Sequence, residues 1–360
     1  NNGLWRCYAS GWRTCGGQAA SSTGDVQVRG SDGGFAATSN FNWDLINNTL
    51  LLTGAAGQTT DLFSVASSTG LKMFGVSSAG VLELSTTSDP VTPPSGQLDI
   101  YAKEIAGRTM PKWVGPSGVD TPFQANLGFN RITMLMPAGG TTCSTAVGGF
   151  GTTFVTNAGT CANPAPAATN FKSATVRTTF SSGATAGTVA YSRPNRLQVW
   201  RGNAAGLGGF FFTIRFGLNT LQSGNRAFVG LTDTAANPTN VDPTTSTTPG
   251  KVGMAINTNT GNWQFVTNIT GTAPTVTDLG TSFPVNTTDL FELILYSPPN
   301  GSAINYRITN LSTGAQVTGS VSSNIPSNTT FLAPLFWITN NATAAAAIMD
   351  FGGWYLESDN

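Results

Sequence analysis

Phe291-Glu292-Leu293-Ile294-Leu295-Tyr296, followed after a Pro-Pro-Asn-Gly turn by Ile304-Asn305-Tyr306-Arg307-Ile308-Thr309, is the stretch whose reading decides the fold. The second run alternates apolar with polar residues, the period-2 mark of a half-buried strand. The first is almost wholly apolar and predicts a central strand covered on both sides. Leu311-Ser312-Thr313-Gly314 then turns the chain back through Val317. Working outward, Phe212, Ile214 and Phe216 alternate with Thr213 and Arg215. Ala255-Ile256-Asn257 and Trp263-Gln264-Phe265-Val266 flank a Thr-Asn-Thr-Gly-Asn turn, a hairpin signal. Strands at this spacing predict a β-sandwich over residues 169–360.

Composition extends the reading to the whole chain. Its 360 residues hold 17 Lys+Arg and 17 Asp+Glu, 9% charged, where soluble domains carry roughly 25%. Thr and the aromatics favour strands, whereas 43 Gly and 19 Pro break helices. The expectation is all-β. Zero net charge without a basic run excludes nucleic acid as a partner class. No apolar stretch reaches the ~18 residues that span a bilayer, so no membrane insertion is expected.

The N-terminal part carries an internal repeat. Leu62-Phe63-Ser64-Val65 precedes the turn Ser67-Ser68-Thr69-Gly70. Met73-Phe74-Gly75-Val76 then precedes Ser77-Ser78-Ala79-Gly80, and Val81-Leu82-Glu83-Leu84 closes the run. Phe63 and Phe74, like Val65 and Val76, stand eleven residues apart. Strands this short cannot bury an apolar face within one chain, so stacking on copies of the chain is expected, with an ordinary β-meander in a monomer as the alternative. Pro90, Pro93 and Pro94 mark a boundary. Beyond them Leu98, Ile100 and Ala102 alternate as a strand, and a charged stretch reads either as a collar where neighbouring chains meet or as a solvated linker. The segments are thus 1–94, 95–168 and 169–360.

Two blocks carry family resemblances. Gly24-Asp25-Val26-Gln27-Val28, Gly33-Gly34-Phe35-Ala36, Ser39-Asn40-Phe41-Asn42-Trp43-Asp44 and Thr49-Leu50-Leu51-Leu52-Thr53-Gly54, with the repeats after them, resemble a block of tailed-bacteriophage tail fibres and tailspikes. Val28-Arg29-Gly30-Ser31-Asp32 replaces the usual Phe-Asn-Asn there. The resemblance covers about residues 24–85 and implies an intertwined homotrimeric shaft. Gly261-Asn262-Trp263-Gln264, Leu295-Tyr296-Ser297-Pro298-Pro299-Asn300-Gly301-Ser302 and Phe351-Gly352-Gly353-Trp354-Tyr355-Leu356-Glu357 look like the concanavalin-like (laminin-G-like) jelly rolls at phage fibre tips. Together they imply a virion fibre or spike that meets other virion proteins and attaches to a host-surface glycan. The alternatives are a head fibre, collar or decoration protein without a receptor, a polysaccharide depolymerase, and a secreted lectin-like adhesin.

The residues favour binding over catalysis. The chain has no His, which removes every imidazole-based mechanism. Asp233, Asp242, Asp278, Asp289, Glu292, Asp350, Glu357 and Asp359 form no recognisable glycosidase pair, so no catalytic residue is assigned and no enzyme is expected. The Asp233–Asp242 loop reads as a plain turn before a Ca²⁺ site, and neither metal nor cofactor is expected. Trp200, Trp263, Trp337 and Trp354 are the aromatic residues to weigh for sugars. Trp337, within Leu335-Phe336-Trp337-Ile338, reads as core. Trp263 follows a turn; core is the preferred reading and a sugar platform the alternative, which makes it the one glycan-binding candidate. Cys7 with Cys15 and Cys143 with Cys161 are disulfide candidates by count and short spacing, and free thiols are the plainer reading if the protein is assembled in a reducing cytoplasm.

Overall fold

The computed structural model describes residues 49–94, 96–114, 132–137, 160–194, 196–205, 207–257 and 261–358 with side chains. Of the strands at 5–8, 11–14, 25–29, 35–44, 120–122, 131 and 144–148 it describes the backbone. The chain divides into two units, Asn1–Lys103 with Pro111–Phe123, and Glu104–Met110 with Gln124–Asn360.

The first unit is a series of small sheets. β1 (Trp5–Tyr8) pairs with β2 (Gly11–Thr14), and β3 (Asp25–Arg29), β4 (Phe35–Asp44) and β5 (Thr49–Leu52) form an antiparallel meander. The eleven-residue repeat becomes β6 (Phe63–Ala66), β7 (Lys72–Val76) and β8 (Leu82–Leu84). Its two turns have the same hydrogen bonds: Gly70 N–H to Ser67 O and Gly80 N–H to Ser77 O, both 2.9 Å. Both glycines sit at positive φ, 82° and 77°, where a Cβ is strained.

Register gives this sheet two unlike faces. Phe63 opposes Val76, Val65 opposes Phe74, and Phe74 and Val76 oppose Leu84 and Leu82. Directly opposed residues share a face, so these six apolar side chains lie together. Phe63 and Phe74 meet edge to face at 5.5 Å. Leu82 is nonetheless 60% exposed and Val65 41%. On the other face the Lys72 ammonium bridges Asp61 and Glu83. Gly75 leaves room for the Lys72 stem, since a Cβ there would lie 3.3 Å from Lys72 Cδ.

In β9 (Asp99–Ile105), which pairs with β10 (Arg108–Val114), and through it β11 (Asp120–Pro122), the expected register is corrected. Leu98 and Ile100 are exposed, whereas Tyr101 is buried. Tyr101 donates its hydroxyl to Asp89, and its ring lies under the Lys112 ammonium. Asp89 also pairs with Lys103 and Lys112, so these charges of the expected collar are satisfied within one chain. The Pro-Gly run 115–119 lies outside the described residues.

The second unit is a β-sandwich, and the chain is a β protein. One sheet runs in the order β13 (Ser144–Gly148), β12 (Arg131–Pro137), β26 (Ile348–Ser358), β17 (Phe210–Thr220), β22 (Phe291–Ser297), β23 (Ile304–Asn310), β24 (Gln316–Val321). β15 (Thr178–Ser181) also pairs with β26 and carries β14 (Thr160–Ala162). The second sheet runs β16 (Val189–Ser192), β25 (Ala333–Thr339), β18 (Arg226–Thr232), β19 (Lys251–Ile256), β20 (Gln264–Asn268), β21 (Thr275–Asp278). Alternate residues of both sheets meet in one core, among them Phe212, Ile214, Val229, Leu231, Met254 and Phe336. The alternation read in β17 and β23 and the central place of β22 are as the sequence predicted.

The sandwich begins earlier than residue 169. β12 pairs with β26 over Arg131–Leu135, and Leu135 is fully buried in the core. The Gly, Thr, Ala and Pro that follow made this region read as a linker. The short helix α1 (Phe171–Ala174) is closed by Asn170, whose Oδ1 accepts the Ser173 N–H at 2.8 Å. Cys161 is disulfide-bonded. Cys7, Cys15 and Cys143 lie outside the residues with described side chains.

Candidate functional site

The site follows from the second face of the six-stranded sheet. In β18, Val229 and Leu231 point into the core, so Phe228 and Thr232 point out. In β25, Phe336 and Ile338 point in, and Leu335 and Trp337 point out. These outward side chains are buried too, with Val189, Tyr191 and Val266 beside them. A sheet covered on both faces has apolar runs instead of alternation, which is the pattern of β25.

The cover is Asp233–Gly250, the connection from β18 to β19. Antiparallel neighbours are usually joined by roughly two to five residues, so this loop is an insertion. Polar side chains hold it to the sheet. Asn268, fully buried, donates to Thr247 O at 3.1 Å and Pro249 O at 3.3 Å. Arg226 donates to Asn240 O at 3.2 Å, and Arg193 to Asn237 Oδ1 at 2.5 Å. Asn257 donates to the Thr244 hydroxyl at 2.8 Å.

Between loop and sheet lies a cleft of about 530 Å³. Phe228, Leu335 and Trp337 form its floor, Pro238, Val241 and Pro249 its apolar wall, and Asp233, Asn237, Lys251 and Thr270 its polar groups. Gly230 of β18 and Gly253 of β19 oppose each other next to Phe228. A Cβ on Gly230 would come within 3.0 Å of the Phe228 ring and 2.7 Å of Gly253 Cα. Apolar walls with a few convergent polar groups are the usual make-up of a small-ligand site.

Lys251 is the cleft's unusual group. It is 3% exposed, and its ammonium donates to Ser246 O at 2.8 Å and Pro249 O at 3.1 Å. Burial pulls it from 10.5 to about 8, against the opposing field of Asp233 and Asp242. The unfolded chain keeps this proton up to the ordinary lysine range, whereas the folded protein releases it near 8. Stability therefore rises with pH between about 8 and 10.5. The expected gain relative to Lys251→Met is about 3 kcal/mol, read by urea unfolding at stepped pH. A flat difference across that window contradicts the burial.

Trp263 is core, the preferred reading, and the sugar-platform alternative falls. It is fully buried, with its ring centroid 5.1 Å from Phe216 and 5.9 Å from Phe291, so no face is open. Trp354 is likewise core, and Trp200 stacks on Phe331 at 5.3 Å. Trp337 is buried as expected, yet from the opposite side of its sheet to the main core. Sequence reasoning missed the cleft. The signal for it was the unbroken apolar run at Leu335–Ile338 together with the long Asn- and Pro-rich loop.

The carboxylates weighed for catalysis are dispersed. Asp233 accepts from Gly250 N–H and the Thr270 hydroxyl, and Asp242 from Thr244. Asp278 is held by Asn262 and Gly280, and Asp289 by Asn310. Glu292 pairs with Arg215 and Arg307, Asp350 with Lys172 and Arg177, and Glu357 with Arg108. Asp359 lies outside the described residues. Among the described residues no group of three or more His, Cys, Asp or Glu is placed to hold a metal.

No family model matches the sequence, and no curated protein matches it. Among solved structures, a protein of unknown function from Shewanella oneidensis MR-1 is similar at 11% identity and a TM-score of 0.43, over 64% of this chain and 86% of that one. Lectin II from Ulex europaeus gives 10% and 0.37, over 57% and 95%. The CBM2 module of the evolved Dit of Lactobacillus casei BL23 phage J-1 gives 11% and 0.34, over 63% and 96%. All three are distant likenesses.

Proposed function

We propose that this chain is a fibre or spike protein of a tailed bacteriophage particle. In this reading it is a homotrimer that joins other virion proteins through its shaft and binds a host-surface glycan through its sandwich. The observation that carries the binding role is the cleft under Asp233–Gly250, a recess walled by Pro238, Val241 and Pro249 with Asp233, Asn237 and Thr270 as its polar groups. Sugars are held by such a combination, apolar wall against the ring and hydroxyls on amide, hydroxyl and carboxylate partners. The engaged state of the tip carboxylates favours binding without hydrolysis. The resemblance of residues 24–85 to phage fibres supports the virion assignment.

The homotrimer is supported by the apolar face of β6–β8. An isolated three-stranded sheet with that face open is poorly stabilised, and copies of itself offer a self-complementary cover. Phe74→Asp places a charge in the middle of the face and is expected to leave the chain monomeric by light scattering. An unchanged mass removes that face from the interface.

The binding role is tested by presenting the intact chain to an array of bacterial surface polysaccharides and assaying the same sugars for new reducing ends. Retention without cleavage is expected. Absence of retention overturns the attachment reading, and release of reducing ends replaces it with a depolymerase.

A further inference from the structure

Two buried cations share one carboxylate in the sandwich. Asp350, fully buried on β26, lies with its Oδ2 2.8 Å from Lys172 Nζ and 3.4 Å from Arg177 Nε. Both cations are buried, and neither has another carboxylate partner among the described residues. The cluster therefore carries a surplus positive charge, which a low-dielectric setting disfavours. It also holds a side-chain amide. Asn219 Nδ2 lies 3.2 Å from Asp350 Oδ1 and 3.4 Å from Oδ2, so the amine of Lys172 and the amide of Asn219 meet on one carboxylate.

The local backbone is shaped to bring them there. Gly217 opposes Asp350 and Leu218 opposes Met349, but the next residue in register, opposite Ile348, is Thr220. Asn219 is thus the extra residue of a β-bulge, a device that re-aims a side chain. Gly217 leaves room for the lysine stem, since a Cβ there would lie 2.7 Å from Lys172 Cδ. The ammonium donates to Leu218 O, the carbonyl bonded to the Asn219 nitrogen. The Thr220 hydroxyl donates to Asn219 Oδ1 at 3.3 Å, the oxygen on which charge gathers when the amide carbon is attacked.

We propose that Lys172 and Asn219 become joined by an intramolecular isopeptide bond, with Asp350 as the proton carrier. Lys172 Nζ passes one proton to Asp350 and attacks Asn219 Cγ. The Nζ–Cγ bond forms and the Cγ–Nδ2 bond breaks. Nδ2 takes a second proton from the amine and the one held by Asp350, and departs as ammonium. No oxidant or cofactor is consumed. Asp350 is left ionised with Arg177 as its counter-ion, so the surplus charge leaves with the ammonium. The new amide ties α1 covalently to β17. A purely electrostatic cluster predicts an unaltered lysine.

The test is mass spectrometry of the intact, reduced chain, followed by tryptic mapping. The chain is expected to be lighter than its sequence by one ammonia, about 17 Da. Trypsin is expected to leave Lys172 uncut and to release a branched peptide in which Ile132–Arg177 carries Phe216–Arg226. Lys172→Arg and Asp350→Asn are each expected to restore the full mass. The map of the unaltered chain decides even if neither variant folds. A full sequence mass with Lys172 cut overturns the proposal. So does an ammonia loss without the branched peptide, or one that persists in Lys172→Arg. A loss of one water instead, about 18 Da, with Lys172 joined to the peptide of Asp350, overturns Asn219 as the acceptor. A branched peptide that survives Asp350→Asn overturns Asp350 as the proton carrier.

Discussion

Replacing Asp350 by alanine should destabilise the sandwich by about 3–5 kcal/mol, because it leaves two buried cations without their counter-charge. Asp350 is fully buried on β26. Its Oδ2 lies 2.8 Å from Lys172 Nζ and 3.4 Å from Arg177 Nε, and Asn219 donates to Oδ1 at 3.2 Å. Lys172 lies on α1 and also donates to Leu218 O, so this one carboxylate ties the segment before β15 to two strands of the nine-stranded sheet. Once it is removed, water has no ready access, since Lys172 and Arg177 are both buried. The loss should be partly recovered by adding Lys172→Met, which withdraws one of the stranded charges. Urea unfolding of the single and double variants reads both effects. A single-variant loss below about 1 kcal/mol means the charges are solvated and the cluster is not closed.

Trp263→Ala should cost a similar amount, about 3–5 kcal/mol, by opening a cavity between Phe216 and Phe291. Trp263→Phe should cost much less, about 1 kcal/mol, because the indole N–H finds no acceptor among the described residues and only ring volume is lost. The contrast matters for function. A sugar platform would lose binding in both variants while keeping its stability. A core residue loses stability in the first and keeps glycan binding in the second. The measurements are urea midpoints for both variants and array retention for Trp263→Phe.

These residues also show how far the sequence could be read. Phe212, Ile214 and Phe216 alternate because one face of β17 meets the core and the other meets polar side chains, so the period is visible in the letters. The eleven-residue repeat was visible for the same reason, and it returns as two turns with matching hydrogen bonds. Strand β9 misled because Tyr101 is buried through its hydroxyl and a cation over its ring, neither of which a hydrophobic period records. Strand β12 was hidden by the Gly- and Thr-rich sequence beyond it. Trp337 read correctly as buried, but the sequence could not say under what. Its cover is a loop that begins a hundred residues earlier, and Phe228, Lys251, Trp337 and Asp233 come together only when β25, β18 and β19 lie side by side. The strands could be read from local pattern; the site is assembled by strand order.

The proposed homotrimer is the part of the proposed function that is most direct to test. Light scattering during gel filtration of the intact 37.2 kDa chain measures it. A mass about three times that of the chain is the predicted result, because the apolar face of β6–β8 then closes on its copies. A monomer at working concentration would contradict the account, leaving Phe63, Val65, Phe74 and Leu82 exposed with nothing to cover them.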